Sequence, residues 1–354
     1  MSTVAAARSW KALPGVGLIA SLILTAALGA GVLALLGASP LAAYRLIAAG
    51  AFGNPQRFTY VLTAWTPLLL CTAGLFLTFA AGLWNIGIEG QVVLGAVFTT
   101  GVLRALEHGS PAGAVLLLAA CAGILGGALW GAAVGTLRVF GNVHEIFGGL
   151  GLNFIAGSLT VYLVLGPWAR PGIASTSGTM PFGSALWLPV VHAGPLAIPG
   201  EVLLGVAALG LVRAAMRGTQ FGLRLAAIGK SPRAAFLRGV PITREMLAAC
   251  ALCGGLAGLA GFVLVTSASS RHQLFPLISG GDGFLAILVA LLANRGAFAS
   301  LLISFFFAAI STGSLQLPLQ MQLDSSMSGV IEGMLVLLVL FAQGLGTRLA
   351  RRRR

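Results

Sequence analysis

Charge is scarce in this chain. Asp, Glu, Lys and Arg make up 8% of its 354 residues, against roughly a quarter in soluble globular proteins. A soluble body of this size could not cover its surface with so few charges, which leaves lipid as the natural solvent. Acids are scarcer still, 8 against 21 basic residues, and they are scattered singly. Membrane-embedded enzymes need paired acids or histidines within the spans, and no such pair is readable. The four histidines stand at no useful spacing from a Ser or Cys nucleophile. The four cysteines, Cys71, Cys121, Cys250 and Cys253, all lie in apolar runs. Cys250 and Cys253 have CxxC spacing, but no second pair or nearby histidine completes a metal site. No cofactor or metal is expected. The net charge of +13 does not indicate nucleic acid, because the basic residues sit in short gaps between apolar runs, where membrane proteins keep cytoplasmic charge.

Hydrophobic residues are abundant, 58% of the chain, and mean hydropathy is +0.98. About 20 apolar residues cross a bilayer as a helix. Ten stretches qualify, near 15–37, 60–82, 87–104, 112–137, 147–166, 198–216, 246–266, 281–294, 297–314 and 329–347. The fold class expected is all-α, a polytopic membrane helix bundle of about ten transmembrane helices, some short or broken. The first stretch follows Arg8 and Lys11. It is too long for the core of a signal peptide and ends in no clean cleavage site, so it reads as an uncleaved first helix.

Placing the N-terminus inside and alternating sides puts 16 of the 21 basic residues in inner segments. The other five, Arg45, Arg57, Arg104, Arg170 and Arg271, fall outside. This is the positive-inside bias. It implies a cytoplasmic N-terminus at 1–14, a single membrane domain over 15–347 and a basic cytoplasmic tail at 348–354. Of the two long connections, 167–197 is external and rich in Pro, Gly and Ser, while 217–245 is internal and basic.

Glycine is plentiful, 50 residues. Gly123, Gly127, Gly131 and Gly135 recur every fourth position and form one smooth helical stripe, a surface for close helix packing or for sliding. Gly254, Gly258 and Gly261 do something similar. Polar groups inside lipid normally face a partner or a water-filled path. The densest set is Asn85, Glu89 and Gln91, between two apolar spans with glycines at 82, 87 and 90. It suits a broken helix bordering a transport path, or a tight turn with a helix-capping carboxylate. Asn153, within the fifth span, suits an interhelical hydrogen bond or contact with a solute. Glu145 is placed to interact with a helix N-terminus, and Asp282, between glycines, reads as a helix cap or as an outward-facing contact for substrate. Gly229-Lys230-Ser231 lacks the upstream glycine and strand of a phosphate-binding loop.

Several segments resemble the permease subunits of bacterial ABC importers of the branched-chain amino acid, ribose and nucleoside superfamily. GLWNIGIEGQ at 82–91 is similar to the FNIGAEGQ-type signature of the nucleoside branch, which works with a lipoprotein binding subunit. VHEIFGGLGLNFIAG at 143–157, FGLRLAAIGKSPRAAFLRGV at 221–240, LCGGLAGLAGFV at 252–263 and GDGFLAILVALLANRG at 281–296 also resemble that branch. Arg233 stands where the family often has an acid, and Ser231 where it often has Asn.

The resemblance implies a permease without its own ATPase site, in the bacterial cytoplasmic (inner) membrane. Its partners would be a separate ATP-binding subunit, a second permease as homo- or heterodimer, an extracytoplasmic solute-binding lipoprotein and membrane lipid. Segment 217–245 would be the coupling loop, its docking helix shaped by Gly229, Pro232, Ala234, Ala235 and Gly239, with Phe236 and Leu237 as anchors and Arg233 and Arg238 at the rim. Asn85, Glu89, Gln91 and Asn153 would border the substrate pathway. The solute implied is a nucleoside or purine-like compound, with a simple sugar as runner-up. An ion-coupled secondary transporter is the alternative from another class.

Overall fold

The computed structural model describes residues 39–321 except 108, 173–176 and 294–295, together with a few positions within 27–34 and Gly333. Most of the first apolar stretch and nearly all of the tenth, with Glu332, lie outside the described residues. The helices are α1 (Pro40–Phe52), α2 (Pro55–Ala80), α3 (Ile88–Leu106), α4 (Ala112–Val139), α5 (Glu145–Leu165) and α6 (Glu201–Gly218). They continue with α7 (Gln220–Lys230), α8 (Pro232–Leu237), α9 (Ile242–Thr266), α10 (Asp282–Leu292), α11 (Ala297–Ser314) and α12 (Gln316–Met321). Proline opens α1, α2 and α8, where its fixed φ suits a helix start and no N–H is missed.

The architecture is a helical polytopic bundle. Among the described residues five helices are long and apolar enough to span a bilayer: α2, α4, α5, α9 and the run Ala297–Met321. A sixth arises if α6 and α7, bent by 75° at Thr219, count as one broken span. Helix α3 falls short of the test and carries Glu89, Gln91 and Arg104. Helices α1 and α10 are shorter apolar pieces. From Thr66 to Ala80 every residue of α2 but Phe79 is buried, whereas α4 and α5 expose Leu117, Leu125, Phe147 and Phe154. An apolar exposed face on an apolar helix is what lipid covers.

The chain forms two compact units. The described residues of one lie within 55–308 and those of the other within 1–54 and 309–354. In the smaller unit α1 and α12 share a cluster of Leu33, Ala43, Ile47 and Leu317. There a Cβ on Gly313 would lie 2.3 Å from the carbonyl oxygen of Ile47.

The larger unit is organised around α3, α4 and α9. The expected glycine stripe of α4 lies on α9. A Cβ on Gly127 would come within 2.1 Å of the Gly254 carbonyl oxygen, and one on Gly131 within 2.3 Å of that of Cys250. From the other side a Cβ on Gly258 would come within 2.0 Å of the Gly123 carbonyl oxygen, and Gly135 lies against Leu247 and Cys250. Gly95 and Gly261 bring α3 against α9 in the same way. With no side chain between them the backbones touch, so dispersion contacts take over where the lipid environment removes the hydrophobic drive for helices to associate.

Segment 167–197, read from sequence as a loop, contains a 3₁₀ turn at Ser184–Leu186 and a strand, β1 (Val190–Ala193). β1 pairs antiparallel with β2 (Leu196–Pro199), in the register Val190 to Pro199 and Ala193 to Leu196. The hairpin turns at Gly194, whose φ is +62°. The segment is laced to residues 266–274. Thr179 N–H donates to Leu274 O (2.8 Å), Phe182 N–H to His272 O (2.8 Å) and Leu188 N–H to Thr266 O (2.8 Å). Arg170 donates to the carbonyls of Gly178 and Thr179 at 3.1 and 3.0 Å and to Gln273. Trp187 stacks on His272 with centroids 3.8 Å apart.

Candidate functional site

After α2 the chain does not simply turn and go back. Gly82, at φ +76°, reverses it next to Gly229 of α7, where a Cβ on Gly229 would sit 2.1 Å from the Ala80 carbonyl oxygen. The extended residues that follow carry Asn85 to Cys253, the twelfth of the 25 residues of α9, with Nδ2 3.1 Å from Sγ. Helix α3 therefore begins about halfway along α9. It runs antiparallel to α4, since Gly90 lies by Trp130 while Thr99 donates to Ala119 O at 3.3 Å.

The polar cluster at this break is fully interlocked. Asn85 Nδ2 donates to Gln91 Oε1 (3.0 Å) and Gln91 Nε2 donates back to Asn85 Oδ1 (3.1 Å). Both residues are buried. Asn153 of α5 closes the other side: its Oδ1 accepts from Gly90 N–H (2.9 Å) and its Nδ2 donates to Ile86 O (3.0 Å). Unwinding the backbone at 82–87 frees peptide groups inside the bundle, and each unmet group there costs several kcal/mol. Asn153 supplies a partner for one of them, Ile86 O, and for the first-turn Gly90 N–H of α3. Gly87 has no room for a side chain, since a Cβ there would lie 2.8 Å from Val134 Cγ2 and 3.2 Å from Gly149 Cα.

Glu89 reaches away from this cluster, to the start of α10. Its Oε1 accepts from Ser279 Oγ and from Gly281 N–H (3.1 Å), and its Oε2 from Gly283 N–H (2.9 Å). Gly281, at the N-cap of α10, has φ +91° and offers no side chain for capping. The carboxylate of another helix does that work. Asp282, read from sequence as the cap, is the first residue of α10. The alternating-sides topology put the start of α10 on the outer face and residues 82–91 toward the inner one. Direct contact between them places both within the depth of the bundle. The N-termini of α3 and α10 thus meet around one carboxylate. Their helix dipoles each favour negative charge there, and Glu89 is that charge.

Segment 217–245 contains two short helices, α7 and α8, rather than an irregular loop. Thr219 caps α7 by accepting from Gly222 N–H at 3.3 Å, and Ser231 caps α8 by accepting from Ala234 N–H at 3.3 Å. Gly229-Lys230-Ser231 is thus a helix end followed by a cap, not a phosphate cradle. Pro232 opens α8, Ala235 is buried, and Gly239 ends the motif at φ +76°. Phe236 and Leu237 are 69% and 79% exposed, so α8 turns two large apolar side chains outward.

Two buried acids at neighbouring helix starts are paired in ways that sequence spacing did not disclose. Glu145, the first residue of α5, lies 3.1 Å from Arg138 Nε of α4, and Glu245 of α9 lies 3.0 Å from Arg224 of α7. A third, Glu201 at the start of α6, accepts from Ser267 Oγ at 2.5 Å. Ser279 and Ser267 escaped sequence reading because an isolated serine carries no pattern. Among the described residues no cluster of His, Cys, Asp or Glu could hold a metal ion.

The half-length start of α3, the capped pair α7–α8 and the glycine-sealed packing describe a polytopic helical bundle with a break in its interior. The family model for the permease component of branched-chain amino acid transport systems matches residues 57–340. The chain belongs to that family and is an ABC permease. It is 30% identical to a glucose ABC transporter permease of Haloferax volcanii, over 91% of this chain and 86% of that one. It is 26% identical to a guanosine ABC transporter permease of Bacillus subtilis, over 90% and 91%. A nucleoside ABC transporter permease of Lactococcus lactis shares 23% identity over 81% and 80%. Membership in an ABC family replaces the ion-coupled alternative.

Proposed function

We propose that this chain is one permease subunit of an importer that moves a nucleoside or purine-like solute inward by alternating access, with ATP hydrolysed on a separate subunit. The observation that carries this reading is the 82–91 segment. Its nucleoside-branch signature coincides with the point where two helix starts meet inside the bundle. Glu89 already neutralises those two positive helix ends, which favours an uncharged, hydrogen-bonding solute over an anion. Asn85, Gln91 and Asn153 border the same place, and the Asn85–Gln91 bonds and those of Asn153 to the backbone exchange for solute contacts as the path opens. Helix α8 would dock on the ATPase through Phe236 and Leu237. Movement there reaches the break through Gly229, which touches Ala80. A binding lipoprotein would deliver solute to the 167–197 face, and a second permease would complete the pore.

A simple sugar is the second reading, favoured by the glucose permease relative, which aligns along nine-tenths of the chain. Uptake of labelled guanosine, adenosine, ribose and glucose, compared in cells with and without this chain, separates the two. Loss of nucleoside uptake alone is expected. Loss of sugar uptake with nucleoside uptake intact transfers the assignment to the second reading.

A further inference from the structure

A groove of about 390 Å³ opens between α7 and the first half of α9, lined by Phe221, Arg224, Arg244, Glu245, Ala248 and Leu252. Its chemistry changes along its length. At one end Arg224 bonds Glu245 at 3.0 Å and Gln220 at 3.3 Å. That leaves Arg244, which is exposed and makes no hydrogen bond or ion pair among the described residues. Two guanidinium groups and one carboxylate leave the rim with one surplus positive charge. Arg244, Ala248 and Leu252 follow at intervals of four and so form one line up α9. At 1.5 Å per residue the line rises about 12 Å from the basic rim. Its upper end is Leu252, 50% exposed on a helix apolar enough to span the bilayer.

We propose that this groove binds an anionic phospholipid. Its phosphate sits on Arg244 beside the Arg224–Glu245 pair, and an acyl chain lies along Ala248 and Leu252 against Phe221. The surplus charge matches one phosphodiester, and basic pockets between helices at the cytoplasmic face suit such headgroups. A free phosphate would have no use for the apolar half of the groove. A soluble partner protein could not follow α9 up to Leu252. The inference rests on 217–245 lying at the cytoplasmic surface, and it is independent of which solute is carried. A lipid seated there braces α7 against α9, close to where Gly229 meets the α2 turn.

The test uses the purified full chain in detergent, with bound lipid read by native mass spectrometry and the unfolding midpoint by a thermal scan. Phosphatidylglycerol, phosphatidylcholine and inorganic phosphate are added separately. Phosphatidylglycerol alone should bind and raise the midpoint. Arg244→Gln should weaken its binding about fivefold, as expected for one basic group at an anionic surface, and Arg244→Lys should retain most of it. Ala248→Phe, which fills the groove and keeps both arginines, should also weaken binding. Arg217→Gln, outside the groove, should not. Equal effects of phosphatidylcholine or phosphate, or unchanged binding in both Arg244→Gln and Ala248→Phe, would overturn the proposal. Loss of a co-purifying ATPase from Arg244→Gln with lipid binding intact would assign the groove to a protein partner instead.

Discussion

Glu89 faces one hydroxyl and two amides, all of them donors. An acceptor-only group suits that position. Glutamine brings an NH2 that would meet a donor, and alanine leaves the amides of Gly281 and Gly283 unmet, at about 1–3 kcal/mol per buried group. Glu89→Gln and Glu89→Ala are therefore both expected to lower uptake, with the alanine variant also unfolding at lower temperature. Wild-type uptake by both would remove Glu89 from the pathway and leave it a helix cap. The Asn85–Gln91 pair calls for a double-mutant cycle. Each single change to Leu strands a buried amide and should destabilise the protein by about 1–3 kcal/mol. The double change strands neither, so its cost should be well below the sum. Additive losses in thermal scans would show that the two amides do not act as a pair.

Helix contacts follow a different logic, because there the backbone itself is the contact surface. A Cβ at Gly258 or Gly127 would fall 2.0–2.1 Å from a carbonyl oxygen of the facing helix. Such a contact is relieved only by moving a helix, and overpacking of this kind costs about 1–3 kcal/mol or more. Gly127→Val is expected to reduce the yield of folded protein sharply. Gly151→Ala and Gly113→Ala, which point into open space, should leave it unchanged. Equal yields from all three would mean that the stripe tolerates separation. At α8 the exposed pair is the place to probe docking, since Ala235 is buried and its replacement would disturb α8 itself. Phe236→Asp with Leu237→Asp should abolish co-purification of the ATPase while membrane insertion stays normal. Retained ATPase would move the docking surface elsewhere.

For the whole molecule, the breaks in the hydropathy pattern were legible from the residues. The polar run at 82–91 and the short eighth stretch stood out because lipid penalises unmet polar groups wherever they occur along the chain. What was not legible is that the two irregularities meet. Glu89 and Ser279 are 190 residues apart, and no local period links them. The same holds for Arg224 with Glu245 and Arg138 with Glu145, where an acid and a base in adjoining helices choose each other only once α7 packs on α9 and α4 on α5. The β1–β2 hairpin escaped because four-residue strands are too short for a reliable alternation. Beside that hairpin, burial against Trp187 pushes the His272 imidazole pKa down. The neutral ring fits there. Its contribution to stability is present above the ordinary histidine range and lost as pH falls through the lowered folded value. A thermal midpoint that drops between pH 7 and pH 5, and drops less in His272→Gln, is the expected outcome.

Hydropathy is a local property, and a bilayer imposes the same local condition on every segment that crosses it. The sequence by itself therefore determined the helical membrane class, the glycine stripe and the places where helices break, and its motifs indicated the family. Partnership between segments is a property of packing. Only the tertiary structure decided that α3 starts halfway along α9, that its carboxylate caps α10, and that Gly229 of α7 rests on the turn at Gly82. Each of these depends on which distant backbone comes within hydrogen-bonding or van der Waals range.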